Sequence, residues 1–233
     1  MVRVSSLAIF LATVFRSALC LAVVVAGTTS VAQTNLEAGL LQPPEDGGPR
    51  RWEVISDNLQ LHDAPSVDAE VISVFADGAV LSNLGCSETA DQVWCEVRPF
   101  RGGVRGFSQA MHLQPAQGPD GVVPMGIDDS ERRARKRDFD AKGEIPCAQE
   151  QGQAMGKCVA AVARSGGGDA TVVVTFPNGF ARRLFFVHGE FVSASATMSG
   201  VGTDTDWRLK NNLHFVRVDD QRYELPGALV FDD

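Results

Sequence analysis

Residues 58–85 read NLQLHDAPSVDAEVISVFADGAVLSNLG, and their pattern is the clearest indication of how the first half of the chain folds. Leu59 and Leu61 alternate with polar residues, and short apolar runs follow at 71–75 and 80–81. Glycines separate these runs. Because the side chains of a strand point alternately to its two faces, short alternating runs broken by glycine turns predict a small antiparallel barrel.

The same stretch resembles the opening of bacterial SH3 (SH3b) domains, which typically read LNVRSGPS and then, after a polar segment, V-I-x-x-L-x-x-G. The positions that fit are Leu59, Leu61, Pro65, Ser66, Val71, Ile72 and Gly78, and GFSQAMHL at 106–113 resembles the closing G-W-V-x-x-x-Y-L of the family. Three positions depart from the pattern, namely His62 for Arg, Ala64 for Gly and Phe107 for Trp. The resemblance implies an SH3b-like domain over residues 51–116 that contacts peptidoglycan or a protein partner.

Residues 143–233 contain a second series of short apolar runs, which predicts a C-terminal β domain. Asn178 and Gly179 lie between two of these runs and indicate a hairpin, because both residue types tolerate positive φ. We expect an antiparallel meander folded as a sandwich or a half-open barrel. The whole chain is therefore predicted to be all-β, with an SH3-like small barrel before this second module.

Two segments have the composition of connectors. Residues 33–50 are rich in proline and glycine, which predicts a flexible N-terminus. Residues 117–142 contain DDSERRARKRDFD, in which five acidic residues balance five basic ones. Such a balance predicts a solvated, charged linker with at most a short helix capped by Asp129 or Ser130, and its basic cluster is a candidate contact for an anionic lipid or polymer.

The first residues have the pattern of a signal peptide, which we place at 1–32. Arg3 and Arg16 precede the apolar run SALCLAVVVA, and small residues at 30–32 suit a signal peptidase. We therefore expect a periplasmic or secreted protein whose mature chain has no membrane span. Retention of this segment as an anchor is the alternative, although Arg16 interrupts the apolar run that a span requires.

Four cysteines remain once Cys20 leaves with the signal, and an even number in an exported chain predicts disulfides. Four cysteines allow three pairings. Their clustering favours Cys86–Cys95 and Cys147–Cys158, which would place one disulfide in each module. Neither pair has the ligand spacing of two to four residues that zinc sites favour, so we expect no metal.

Composition and motifs argue against several functions. The net charge of −8 disfavours a nucleic-acid partner, because phosphate binding needs clustered cations. The chain contains no Gly-x-Ser-x-Gly elbow and no HExxH motif. SGGGD at 165–169 precedes a strand-like run and contains no lysine, so it predicts a turn and not a phosphate loop. We expect no catalytic residue and no cofactor.

The best candidates for ligand binding lie in the loop RPFRGGVRG at 98–106 and just after it. Arginines beside aromatic rings suit carboxylates and glycans, through bidentate hydrogen bonds and stacking. The predicted ligand-binding residues are Arg98, Phe100, Arg101, Arg105 and Phe107.

These observations predict a non-catalytic binding protein of the bacterial cell envelope, with peptidoglycan or an envelope protein as its partner. Two alternatives remain open. One is a cell-wall hydrolase whose catalytic residues lie in the C-terminal module. The other is an inhibitor or assembly factor of an envelope enzyme, acting through that same module.

Overall fold

The computed structural model describes residues 39–89, 92–196 and 204–231, so the predicted signal peptide lies outside it. The described chain forms two antiparallel sheets, and the predicted all-β fold is confirmed. Within these three ranges, the helices are too short or too polar to cross a membrane.

The first sheet has seven strands, in the order β3-β2-β6-β5-β4-β1-β7. Its strands are β1 (Arg51–Val54), β2 (Leu59–His62), β3 (Val71–Phe75), β4 (Val80–Thr89), β5 (Gln92–Pro99), β6 (Gly106–Gln109) and β7 (Leu113–Pro115). A 3-10 turn at Ala110–His112 precedes β7. Leu61 of β2 and Leu113 of β7 share one core, although four strands separate β2 and β7 in the sheet. The sheet is therefore strongly curled.

The curl is helped by a bulge in β4, the longest strand. The register between β4 and β5 shifts between Asn83 and Cys86, and Gly85 in this bulge has φ +109°. A bulge bends its strand and increases the local twist, and glycine adopts this φ without strain. Beyond the bulge Cys86 and Cys95 are cross-strand partners and form the first disulfide.

The second sheet has eight strands, in the order β12-β11-β10-β9-β8-β15-β14-β13. Its strands are β8 (Ala141–Ala148), β9 (Gly156–Arg164), β10 (Ala170–Thr175), β11 (Ala181–Val187), β12 (Glu190–Ala194), β13 (Thr205–Lys210), β14 (Leu213–Val218) and β15 (Gln221–Pro226). The ring centroids of Phe186 on β11 and His214 on β14 are 5.2 Å apart, although four strands lie between β11 and β14. This contact requires the sheet to curl on itself. Of the two predicted alternatives, a sandwich and a half-open barrel, the curled sheet corresponds to the half-open barrel.

The second disulfide joins Cys147 on β8 to Cys158 on β9, so both predicted pairings are confirmed. The predicted hairpin also lies where Asn178-Gly179 indicated, between β10 and β11. Only Gly179 has positive φ there, +84°, and the backbone N–H of Phe176 donates to the carbonyl of Phe180. The connection is therefore longer than a two-residue Asn-Gly turn.

Both connecting segments make contacts that their composition did not predict. Asn83 donates from its side chain to the carbonyls of Gln42 and Pro49, at 2.8 Å each, so the proline- and glycine-rich segment lies against β4. In the charged segment, α1 (Ser130–Arg135) packs on β9 and β10. Ser130 is buried and its hydroxyl lies 2.9 Å from that of Thr171. A second short helix, α2 (Gly227–Val230), follows β15.

A buried ion cluster joins the two sheets. Asp169, just before β10, is 2% exposed and accepts hydrogen bonds from Arg50 at 2.8 Å and from Arg51 at 2.8 and 2.9 Å. The backbone N–H of His188 also donates to this carboxylate, at 2.9 Å. Both guanidinium groups are nearly inaccessible as well. Asp169 is therefore the counter-ion of two arginines from the other half of the chain.

The glycine turn before Asp169 permits this approach. The predicted turn at 165–169 connects β9 and β10, and Gly166, Gly167 and Gly168 all have positive φ. A Cβ on Gly168 would lie 2.4 Å from the backbone nitrogen of Gly189, closer than packed atoms come. Only glycine fits here, and Asp169 is thereby brought to the boundary between the sheets.

Removal of the first disulfide, by Cys86→Ser with Cys95→Ser, is expected to destabilise the first sheet by about 2–3 kcal/mol. The disulfide closes a loop between positions nine residues apart, and its loss increases the entropy of the unfolded chain. Thermal unfolding followed by tryptophan fluorescence measures the effect. The double serine variant of Cys147 and Cys158 is the matched control. At the temperature where the first variant loses the folded-state fluorescence of Trp52 and Trp94, this control should retain it.

Candidate functional site

The five predicted ligand-binding residues lie on β5, β6 and the loop between them, but they do not converge on one site. Arg98 is exposed near the end of β5, and Phe107 is half-buried on β6. Phe100, Arg101 and Arg105 belong to the intervening loop, where Gly102 and Gly103 have positive φ. The side chains on this loop divide into two groups with different partners.

The first group contacts the second sheet. Arg101 donates to the carboxylate of Glu190 at the start of β12, and its guanidinium lies 5.6 Å from the ring centroid of Phe100. Phe100 in turn meets the imidazole of His188 edge-on, with centroids 5.8 Å apart. These two candidates therefore take part in contacts between the sheets. The side chain of Arg101 is still 62% exposed.

The second group remains on the outer face of the first sheet. Arg105 pairs with the carboxylate of Glu96, which raises the pKa of the arginine through a hydrogen bond and charge attraction. Phe107 is the cross-strand neighbour of both Glu96 and His62. Because cross-strand neighbours share a face, Phe107, Glu96 and His62 form a continuous row across three strands.

A cavity of about 170 Å³ lies beside this row and was not predicted from the sequence. It is lined by Ser56, Asn58, Leu59, Gln60, His62, Val67, Ser108, Gln109 and His112. The hydroxyl oxygens of Ser56 and Ser108 are buried in the protein and have no hydrogen-bond partner among the described residues. A buried hydroxyl without a partner costs free energy, so a polar molecule that reached these two groups after a local rearrangement would gain their hydrogen bonds.

The strands determine the direction of the side chains around the cavity. Ser108 is 1% exposed and pairs with Cys95, so it points to the inner side of β6, whereas Phe107 and Gln109 point outward. His62 ends β2, where a register shift after Leu61 turns its ring toward Trp94 at a centroid distance of 5.5 Å. Its Nδ1 lies 3.1 Å from the carbonyl of Ala69, which fixes the ring with Nε2 as the other polar atom.

The lining of this cavity combines the apolar side chains of Leu59 and Val67 with hydroxyl, amide and imidazole groups. Among the described residues, no aspartate, glutamate, lysine or arginine lines it. The hydroxyl, amide and imidazole groups form neutral hydrogen bonds with amides and hydroxyls, the functional groups of peptides and sugars. The cavity is therefore suited to a neutral polar ligand, in contrast to the arginine loop, which would suit a carboxylate.

Metal ligands and the hydroxyl of Ser108 are two further candidates for chemistry within the residues that the structure describes. Across the described ranges, no group of three or more His, Cys, Asp and Glu side chains is placed to hold a metal ion. The hydroxyl of Ser108 makes no hydrogen bond to any imidazole of the described residues. In the second sheet, the side chain of Arg182 lies 3.2 Å from the carboxylate of Asp219, and Tyr223 donates to Gln221 at 2.6 Å.

His214 is the most deeply buried imidazole. It is fully inaccessible, and Trp207 donates its indole N–H to Nδ1 at 3.1 Å. Rings of Phe186, Phe231 and Trp207 surround it, and Nε2 has no partner among the described residues. Burial among these rings lowers the pKa of His214 to about 4. The imidazole is therefore neutral at pH 7 and belongs to the core.

No protein-family model, curated protein sequence or solved structure matches this chain. The geometry of the two sheets and the polar cavity is therefore the basis for the functional argument.

Proposed function

We propose that this protein is a non-catalytic, exported binding protein of the bacterial cell envelope. Its first sheet is SH3b-like and contacts peptidoglycan, or a protein of the envelope, through the polar cavity. The observation that carries the proposal is the pair of buried hydroxyls of Ser56 and Ser108, which have no partner among the described residues and belong to a cavity with several polar side chains. Amide and hydroxyl groups of a cell-wall peptide or glycan would supply the missing hydrogen bonds.

Two features favour binding over hydrolysis. A serine nucleophile needs a hydrogen bond to a base, and Ser108 makes none with the described residues although His62 and His112 line the same cavity. Asp169, the most buried acid described, is occupied by two arginines and a backbone N–H. A hydrolase would have to use a nucleophile and an acid or base other than Ser108 and Asp169. The non-catalytic function is therefore better supported.

The disulfides support the location. Disulfides persist in oxidising compartments and are rare in the cytosol of most organisms. Each sheet of this chain contains one. A periplasmic or secreted protein that meets the cell wall is therefore the proposed context.

Co-sedimentation with purified peptidoglycan tests the proposal. Ser56→Ala with Ser108→Ala should weaken binding about tenfold, since each lost hydrogen bond contributes about 0.5–1.5 kcal/mol. The same variant should be as stable as the wild type or more so, because a buried hydroxyl without a partner is removed. Opposite changes in binding and stability would distinguish a ligand site from a structural role.

Arg98→Glu with Arg105→Glu is the matched control, because Arg98 on β5 and Arg105 in the following loop are close to the cavity in the chain but do not line it. We expect this variant to bind peptidoglycan with little change at moderate salt. If it loses binding and the serine variant does not, the arginine loop is the site. If the wild-type protein stays in the supernatant even at low salt, peptidoglycan is not the ligand.

A further inference from the structure

The outer face of the second sheet is only half covered. The helix α1 packs over the end of β9 and β10, where Ser130 contacts Thr171. Beyond the helix lies a groove of about 500 Å³ whose floor is formed by Val159, Ala161, Val173, Thr175 and Ala181. Val159 is 52% exposed in this groove. Solvent-facing sides of antiparallel sheets are normally polar, so an open apolar floor indicates a contact surface.

The rim of this groove is cationic. Arg135, Arg137, Lys142 and Arg183 all line it. Two carboxylates lie near these cations. Glu131 pairs with Arg135 at 2.6 Å and is 3.9 Å from Arg183. Glu144, the cross-strand partner of Val159, pairs with Lys157 at 2.8 Å. Because Lys157 neutralises Glu144, the four cations and Glu131 leave the rim positive on a chain whose net charge is −8. Charge complementarity therefore favours an anionic occupant.

The strand register gives the spacing of two of these cations. Lys142, Ala161, Val173 and Arg183 are successive cross-strand partners on β8, β9, β10 and β11. Cross-strand partners share a face, so a cation stands at each end of a row whose centre is apolar. Three strand spacings separate the two cations, which amounts to about 14 Å.

An extended peptide matches this row. Residues i and i+4 of an extended chain are about 13 Å apart and lie on the same face, with residue i+2 between them. Acidic side chains at i and i+4 would reach Lys142 and Arg183, and a small apolar side chain at i+2 would rest on Ala161 and Val173. The small floor residues also allow a backbone to approach closely, which a bulky floor would prevent.

Arg137 provides a further observation at the rim. It follows α1 with φ +59°, at the position after a helix where glycine is favoured. A non-glycine residue costs free energy in this left-handed conformation. Glycine would be more stable than Arg137 at this position. The side chain of Arg137 is exposed.

We propose that this groove binds an extended acidic segment of a partner protein, with carboxylates four residues apart and a small apolar residue between them. The site is separate from the polar cavity of the first sheet, and the ligand of that cavity does not affect this proposal. Affinity for a single segment is of millimolar order, since each exposed ion pair contributes little. Binding weakens with salt, because these charges are screened.

The test uses the whole mature protein and the peptide GESVSEG, blocked at both ends, in an NMR titration of backbone amides. We expect shifts for residues of the groove, such as Ala161 and Val173. The peptide GQSVSQG, which lacks the carboxylates, and the peptide GEESVSG, which places them side by side, should both bind at least fivefold more weakly.

Two variants separate binding from folding. Lys142→Glu should weaken binding about tenfold, whereas Lys210→Glu, on the edge strand β13 and outside the groove, should not. Arg137→Gly should weaken binding several-fold while the melting temperature stays the same or rises, because glycine relieves the positive φ. A purely structural role of Arg137 would leave peptide binding unchanged.

Three results would overturn the proposal. One is the absence of amide shifts at a large excess of GESVSEG. Another is equal binding of the three peptides. The third is binding to phosphatidylglycerol vesicles without binding to the peptide, which would assign the groove to a lipid surface.

Discussion

Replacement of Asp169 by alanine is expected to lower the free energy of unfolding by about 3–5 kcal/mol. Asp169 is 2% exposed, and it is the acceptor for both Arg50 and Arg51, which are 8% and 4% exposed. The variant would leave two guanidinium charges buried without a counter-ion. Because the arginines and the aspartate belong to different sheets, we also expect the sheets to separate, which increases protease cutting between them.

Urea unfolding of the wild type and the variant measures this loss. Asp138→Ala is the matched control, since Asp138 also pairs with an arginine but is 62% exposed. Its loss should cost less than about 1 kcal/mol, as exposed ion pairs usually contribute. A change at Asp169 as small as that at Asp138 would mean that water reaches the cluster and that the sheets are not held together by it.

The second large effect is a loss of stability in mild acid. The folded-state pKa of His214 is about 4, well below its ordinary value near 6.5. The neutral imidazole therefore makes its full contribution to the free energy of unfolding above pH 6.5. As the pH falls below 6.5 the unfolded chain takes up a proton that the folded chain does not. The expected loss between about pH 7.5 and about pH 4.5 is about 2–3 kcal/mol. Burial also lowers the pKa of His188, which acts in the same direction.

His214→Phe should remove most of this pH dependence, because a phenyl ring fits among Phe186, Phe231 and Trp207 and does not titrate. His188→Gln separates the smaller contribution. Urea unfolding at the two pH values provides the measurement. If the His214→Phe variant loses as much stability in acid as the wild type, the acid sensitivity comes from other groups and the burial of His214 does not control it.

The strands and disulfides were predictable because their causes are local. Alternation around Leu59 and Leu61 follows from the period of a strand, and the two cysteine pairs lie nine and eleven residues apart. The contact of Arg50 with Asp169 was not predictable, since 119 residues separate the two. Arg50 stands beside a proline- and glycine-rich segment, and it is buried by partners distant in the sequence: Asp169, Ser165 and the carbonyls of Met125, Gly126 and Ile127.

The candidate site shows the same division. Composition identified the arginine loop, but it does not tell that Phe100 and Arg101 meet His188 and Glu190 of the other sheet. Nor does a sequence reveal that the hydroxyl of Ser108 lacks a partner, because satisfaction of a buried group depends on every neighbour in space. The alternation of β6 would have placed Ser108 on the inner side, and a polar residue there was the available signal.

The ion cluster also determines what a shortened chain would expose. A chain that ended before Asp169 would still contain every strand of the first sheet, together with Arg50 and Arg51. Their two guanidinium groups would lack the carboxylate that pairs with them in the full-length chain, and the second sheet would not cover them. Such a fragment would present two unpaired cations at its surface, which a quality-control protease could recognise.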